Sequence, residues 1–126
     1  MCLCIKGKVV RRTANRDMVV YKVIKYNSAT NEYFSVFRYS NIKIGETYTA
    51  DMQVPTKGGL CTEVHEAVHS FKHKKDAINT FKNELKFDFY KIVKCIIPKD
   101  AEYYSGVFCD KPFIASSKLK YVKIIK

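Results

Sequence analysis

The chain has 126 residues, of which 47% are hydrophobic and 28% are charged, and its net charge is +11. This length corresponds to one domain, and the composition excludes a fully disordered, collagen-like or low-complexity chain. We therefore expect residues 1–126 to form a single folded domain.

The first half of the chain is typical of short strands separated by polar turns. Runs rich in hydrophobic, aromatic and β-branched residues are separated by clusters of Asn, Ser, Thr and Gly, and residues 32–39 alternate in the manner of a strand. The predicted strands span residues 3–10, 18–26, 32–39 and 47–50.

One helix is predicted near residues 73–86, where Ala77, Ile78, Phe81 and Leu85 recur at helical spacing between charged positions. Ser70 is its predicted N-cap. The pattern then returns to strands. These are predicted at residues 87–97 and 113–125, with a Tyr-rich loop or hairpin at 100–110. The predicted fold class is α+β, a mainly antiparallel sheet with one principal helix.

The positive charge is concentrated at the two ends of the sequence. Residues 1–26 hold seven basic residues and one acidic residue, and residues 111–126 hold five lysines and no acid. If these ends form neighbouring strands, they create one basic surface, which favours an anionic partner such as a nucleotide, a nucleic acid or an acidic host protein. The alternative is scattered charge that serves only solubility.

Aromatic residues adjoin several of these basic residues, as in Tyr21-Lys22 and Lys120-Tyr121. An exposed tyrosine can stack on a base while a neighbouring lysine or arginine contacts phosphate. The alternative is packing of tyrosines across strands beside solvated lysines. The predicted ligand contacts are Arg11, Arg12, Arg16, Lys22, Arg38, Lys118 and Lys120.

A five-residue pattern, His65-Glu66-Ala67-Val68-His69, matches the HExxH motif of zinc metallopeptidases. On a helix, His65 and His69 would face the same way and bind one zinc ion, and Glu66 would act as general base on a zinc-bound water. The same residues also suit an extended chain. A helix from about residue 62 would support the peptidase hypothesis, and a strand ending at Phe71 would oppose it.

The cysteines and the N-terminus indicate an intracellular, cytoplasmic protein without a membrane segment. No run approaches the roughly 20 apolar residues of a membrane span, and charge interrupts the N-terminus too early for a secretory signal. Five irregularly spaced cysteines argue against a disulfide framework.

Several short segments resemble a loosely defined family of small uncharacterised proteins of phages and prophages. They include Ile44-Gly45-Glu46-Thr47-Tyr48, Val68-His69-Ser70-Phe71 before a helix, and the run from Val93 to Lys99 followed by Tyr104 and Gly106. This resemblance implies a phage-encoded protein in the host cytoplasm, and it is the basis for a role in countering host defence. The layout is also distantly similar to ADP-ribosyltransferase-type folds, although the run from Val93 to Pro98 lacks their catalytic glutamate.

Three functional hypotheses follow. The leading one is a small non-enzymatic protein that binds a nucleotide or nucleic acid and needs no cofactor. The second is a compact zinc peptidase that uses the HExxH pattern. The third is a structural protein that assembles into a homo-oligomer and has no small ligand.

Overall fold

In a computed structural model, the described residues are 3–5, 9–35, 41–52, 56–58, 61–64 and 67–126. Within this part of the chain, 13 strands form a single sheet, accompanied by the helix α1 (Lys74–Thr80) and a 3-10 turn (Glu84–Lys86). The strands are β1 (Leu3–Ile5), β2 (Arg12–Thr13), β3 (Met18–Asn27), β4 (Glu32–Ser35), β5 (Asn41–Ile42), β6 (Thr47–Thr49), β7 (Thr56–Gly58), β8 (Cys61–Val64), β9 (Val68–Phe71), β10 (Tyr90–Ile97), β11 (Glu102–Phe108), β12 (Lys111–Ser116) and β13 (Lys118–Ile124).

The strand order is β6-β13-β10-β3-β9-β12-β11-β1-β8-β7, and the described pairings are antiparallel. The sheet is not closed. It is mainly antiparallel and carries one α-helix in the described part of the chain, which confirms the predicted α+β class.

The sheet forks at β3. One edge of this strand pairs with β10 from Met18 to Lys25. The other edge is shared, because Tyr21 pairs with Phe71 of β9 whereas Ile24 and the residues after it pair with β4. Lys22 and Val23 therefore lie where β9 and β4 diverge.

Each face of the sheet contributes to a separate hydrophobic core, because successive side chains of a strand point to opposite faces. The first core includes Phe71, Phe113 and Ile92, and α1 adds Ala77 and Phe81 to it. The second core lies on the other face. Its main members are Val20, Ile24, Val93, Cys95, Ile97, Ile114, Leu119 and Tyr121.

The helical region is shorter than the sequence pattern predicts, and it begins differently. Residues 74–80 form α1, and a turn separates it from the 3-10 segment, so residues 73–86 are not one helix. The N-cap is His73, with no side-chain capping bond. Ser70 instead belongs to β9, where it pairs with Ile114 of β12. The helix can begin only after the chain leaves that ladder.

Residues 100–110, predicted as a loop or hairpin, form the first strand and the turn of a hairpin whose second strand is β12. Its connection is Cys109-Asp110, and both residues have positive φ angles, 51° and 62°. Two successive positive φ angles are typical of the type I′ turn, whose twist matches that of the flanking strands. This turn usually takes Asn-Gly or Asp-Gly, so its sequence signal is weak here.

Candidate functional site

One corner of the sheet exposes a patch of lysines, which we call the lysine face. It spans β6, β13, β10 and β3, on the same side of the sheet as the first core. The helix α1 packs farther along this side, around Val23 and Phe71, and among the described elements it does not cover this corner. The face consists of Val19, Tyr21, Thr47, Thr49, Lys94, Ile96, Lys118, Lys120 and Lys123, which are all exposed or half-buried.

The strand register places these side chains in neighbouring rows. Lys94 of β10 is paired with Tyr21 on one side and Lys123 on the other. Ile96 is paired with Val19 and Lys120 in the same way. Opposite side chains in an antiparallel pair lie about 5 Å apart at Cβ. The lysines therefore concentrate positive charge around a small apolar surface.

The outer strand completes this face with hydroxyl groups. Thr47 of β6 is paired with Lys120, and Thr49 is paired with Lys118. None of the nine side chains is a carboxylate. The face therefore offers ammonium and hydroxyl donors together with an apolar surface, a combination suited to an anion that has an apolar part.

The opposite side of the same strands is buried. Because side chains alternate along a strand, burial of these residues leaves their neighbours on the lysine face. Leu119 is fully buried between the exposed Lys118 and Lys120, and Tyr121 is 3% exposed. Burial raises the pKa of the Cys95 thiol to about 12, although the nearby Lys22 opposes this effect. Burial also raises the pKa of Tyr121. These groups stay neutral at physiological pH and act as core residues.

A bulge in β13 lets both ends of this strand present lysines on the same face. The register with β10 shifts between Lys94 and Cys95. Tyr121 pairs with Cys95 and Lys123 pairs with Lys94, so Val122 is the extra residue. Without this bulge, the period of two would place Lys123 on the same side as Tyr121.

Tyr21 and Val19 supply the apolar part of the lysine face. Val19 is 46% exposed. Tyr21 is half-buried, because its ring also packs against the first core. Its Cα partner Phe71 is the last residue of β9, and the chain then runs through the exposed Lys72 toward α1. The ring is thus held in place while part of it remains accessible.

The predicted contact residues are distributed over different parts of the molecule. Lys118 and Lys120 belong to the lysine face. Arg12 and Arg16 are exposed but precede β3, near the pairing of β2 with β11. Arg38 lies outside the described residues.

Arg11 forms an ion pair with Glu102. Its guanidinium also lies 5.8 Å from the ring centroid of Tyr104. The hydrogen bond to Glu102 is the main reason that the pKa of Arg11 is raised. Glu102 already neutralises this arginine, so Arg11 differs from the lysines of the face.

Lys22 does not reach the surface. It is 8% exposed and points into the second core, and its Nζ donates a hydrogen bond of 2.7 Å to the carbonyl oxygen of His69. This bond joins β3 to β9 where the sheet forks. The prediction of Lys22 as a surface contact is therefore not supported, because the alternation of β3 turns this residue inward.

Among the described strands, none from the basic segment 1–26 pairs with one from the basic segment 111–126. β13 pairs with β10 and β6, whereas β1 pairs with β11 and β8. The lysine face instead combines lysines of the C-terminal segment with Lys94, which belongs to residues 27–110, a segment with no net charge. Sequence reasoning missed Lys94 and Lys123. The alternation of Lys94 and Ile96 with buried Val93 and Cys95 was the available signal.

The HExxH pattern does not lie on one helix. His65 and Glu66 are outside the described residues, but Val68 to Phe71 form β9. His69 is buried in this strand, and its ring stacks on Phe113 at 5.8 Å between centroids. The geometry with two histidines one helical turn apart is therefore not formed, and the strand ends at Phe71, as the opposing expectation required.

Two further observations bear on metals and membranes. The described residues contain no group of three or more His, Cys, Asp or Glu placed to hold a metal ion. No helix in the described ranges has the length and apolar character of a membrane span.

Comparison of the chain with protein-family models, curated proteins and solved structures gave no match. The resemblances to phage proteins and to ADP-ribosyltransferase-type folds therefore remain predictions.

Proposed function

We propose that this protein binds single-stranded nucleic acid on the lysine face and acts without catalysis. The observation that supports this function best is the arrangement of Lys94, Lys118, Lys120 and Lys123 on one open side of the sheet. The nine residues of this face include no acidic side chain. A dense positive surface of this kind attracts the phosphate backbone through release of its counterions.

The two kinds of side chain on the face have separate roles. The lysines bind phosphates, and the accessible part of Tyr21 stacks on a base. Val19 and Ile96 provide apolar contact beside it. Sheet surfaces that bind single strands combine a basic surface with aromatic rings in this way, because every base has a flat face that can stack.

The shape of the face favours a single strand over a duplex. Four strands give a surface about 14 Å across, since neighbouring strands lie about 4.8 Å apart. The major groove of a duplex admits a helix or a two-stranded ribbon, which is narrower than this surface. Bases can reach Tyr21 only when they are unstacked, as in a single strand.

The pairing of Lys94 with Lys123 gives independent support. Like charges directly opposite each other on neighbouring strands destabilise a sheet. A bound phosphate between the two ammonium groups would convert this repulsion into two attractive contacts. The pair therefore costs stability in the free protein and contributes affinity in the complex.

Fluorescence anisotropy with labelled oligo(dT) and oligo(U) tests the proposal. The test variant is Lys120→Gln/Lys123→Gln. Each lost phosphate contact lowers the slope of log K against log salt by about 0.7 for a single strand, which corresponds to about 25-fold in affinity for two contacts at 0.1 M salt. The matched control is Lys74→Gln/Lys75→Gln, which removes the same charge from exposed positions of α1 outside the lysine face.

The proposal predicts a large loss for the first variant and less than a twofold loss for the second. Equal losses would show that net charge alone drives binding and would contradict a defined face. Absence of binding by the unmodified protein, combined with capture of an acidic polypeptide such as polyglutamate, would replace nucleic acid with an acidic protein as partner.

A second variant tests stacking. Tyr21→Leu keeps an apolar side chain against the first core but removes the ring, so we expect affinity to fall about tenfold or more. Tyr21→Phe keeps the ring and should bind like the unmodified protein. An unchanged affinity for Tyr21→Leu would exclude Tyr21 from the interface.

A further inference from the structure

A cavity of about 280 Å³ lies away from the lysine face, where the end of α1 meets the 3-10 turn and residue 126. It is lined by Ile78, Asn79, Lys82, Leu85, Lys86 and Lys126. None of these residues was a predicted ligand contact. Five of them lie within residues 78–86, and only the fold brings Lys126 beside them.

The apolar part of this cavity is held by the first core. Ile78 and Leu85 are both half-buried and pack against that core. The amide of Leu85 donates to the carbonyl of Phe81 over 2.9 Å, which continues the helical path beyond α1. The two side chains therefore form a positioned apolar floor.

The polar part consists of three exposed lysines around this floor. Lys82 and Lys86 come from the segment after α1. Lys126 comes from the end of the last strand, where its carbonyl accepts a hydrogen bond of 2.9 Å from the amide of Ile92. The lining includes no acidic side chain. Three lysines therefore line one cavity and favour a ligand with more than one negative charge.

We propose that this cavity binds a small phosphorylated ligand with a flat apolar body, such as a mononucleotide. The lysines would hold the phosphate, and Ile78 and Leu85 would contact the base. The amide of Asn79 supplies both a donor and an acceptor for the edge of a base. The volume lies near the lower limit of small-molecule sites, so the cavity suits a monomer and not a polymer.

This inference does not depend on the lysine face, and the variants separate the two sites. Isothermal titration calorimetry with AMP, adenosine and inorganic phosphate measures each part of the ligand. Lys82→Gln/Lys86→Gln should weaken AMP binding about tenfold or more, since two charge-assisted contacts are lost. Lys74→Gln/Lys75→Gln removes the same charge from exposed positions of α1 outside the cavity lining and should leave AMP binding unchanged within twofold.

The two smaller probes decide whether both parts of the cavity are used. AMP should bind more tightly than either adenosine or inorganic phosphate. If phosphate alone binds as tightly as AMP, the apolar floor has no role and the proposal is wrong. If adenosine binds as tightly as AMP, the lysines have no role and the proposal is equally wrong.

Amide chemical shifts locate the AMP on the protein. Perturbations centred on Asn79, Lys82 and Lys86 would support the cavity, and perturbations centred on Lys120 and Lys123 would place AMP on the lysine face and overturn the inference. A lack of AMP binding would also overturn it, while leaving the nucleic-acid proposal untouched.

Discussion

The two sides of strands β13, β10 and β3 differ sharply in burial, although their residues alternate along the same stretches of sequence. On one side, Leu119, Tyr121 and Cys95 are almost completely buried in the second core. On the other side, Lys120 and Lys123 are exposed. Residues that are adjacent in the chain therefore have opposite surroundings, one in the core and the other on the face that we propose as the binding surface.

Lys22 shows that residue type alone does not predict the side. It is a lysine, yet its ammonium group lies in the second core and bonds to the His69 carbonyl. Its long aliphatic stem allows such burial when the charged end finds an acceptor. Lys22 is buried and Lys120 is exposed because their strands turn them to opposite faces of the sheet, and not because their charges differ.

Among the substitutions, the largest effect is expected from Leu119→Ala, which removes fully buried apolar atoms from the second core. We expect a loss of about 3 kcal/mol in the free energy of unfolding, measured by urea denaturation. Lys120→Ala, at the next residue, should change this free energy by less than about 0.5 kcal/mol. Similar losses for both variants would contradict the division of β13 into two sides.

The next largest effect is expected from loss of the hydrogen bond between Lys22 and His69. Lys22→Ala removes the donor to His69 and should cost about 2 kcal/mol, since a buried carbonyl loses a charged partner. Its affinity for oligo(dT) should stay within twofold when measured on folded protein. A lowered salt slope would show instead that Lys22 contacts the nucleic acid.

Alkaline pH should destabilise the second core. The Cys95 pKa is raised from 9.0 to about 12 in the folded protein, so the unfolded chain loses the thiol proton first. This contribution to stability is complete below pH 9 and is lost as the pH rises toward 12, by up to about 1.4 kcal/mol per pH unit. The raised pKa of Tyr121 adds to the loss above pH 10.

Urea denaturation of Cys95→Ala between pH 8 and pH 11 isolates the thiol. The variant should show a flatter decline than the unmodified protein just above pH 9. An identical decline would assign the effect to other groups.

The smallest effect has the opposite sign. Lys123→Glu places an acid opposite Lys94 and converts a repulsive pair into an attractive one. We expect a gain of about 0.5 kcal/mol in stability together with weaker binding of oligo(dT). Lys123→Gln should lie between the unmodified protein and Lys123→Glu in both stability and affinity for oligo(dT). A loss of stability in Lys123→Glu would show that the Lys94–Lys123 pair is not a cost in the free protein.

Local patterns predicted much of the secondary structure. A run rich in β-branched and aromatic residues indicated β3, which spans Met18–Asn27, and helical spacing indicated the region of α1. The end of β9 and the start of α1 were not predictable, because residues 68–71 suit either state and their pairing with β12 decides between them. The HExxH pattern failed for the same reason, since residue types do not show whether a ladder partner is present.

The candidate site was only partly predictable. Lys118 and Lys120 were predicted as contacts, whereas Lys94 and Lys123 were not. The sequence of one β-strand shows which of its residues share a side of the sheet. It does not show which side another element covers. Here α1 covers one part of the sheet and leaves the lysine face open.

The sequence alone determined the α+β class, the excess of positive charge and the alternation within each strand, because these depend on composition and local periodicity. Tertiary structure decided which lysines stand together. Long-range pairing brings β6, β10 and β13 side by side, the bulge at Val122 turns Lys123 outward, and the fork at β3 provides an acceptor for Lys22. These outcomes depend on contacts between residues far apart in the chain, which local patterns do not specify.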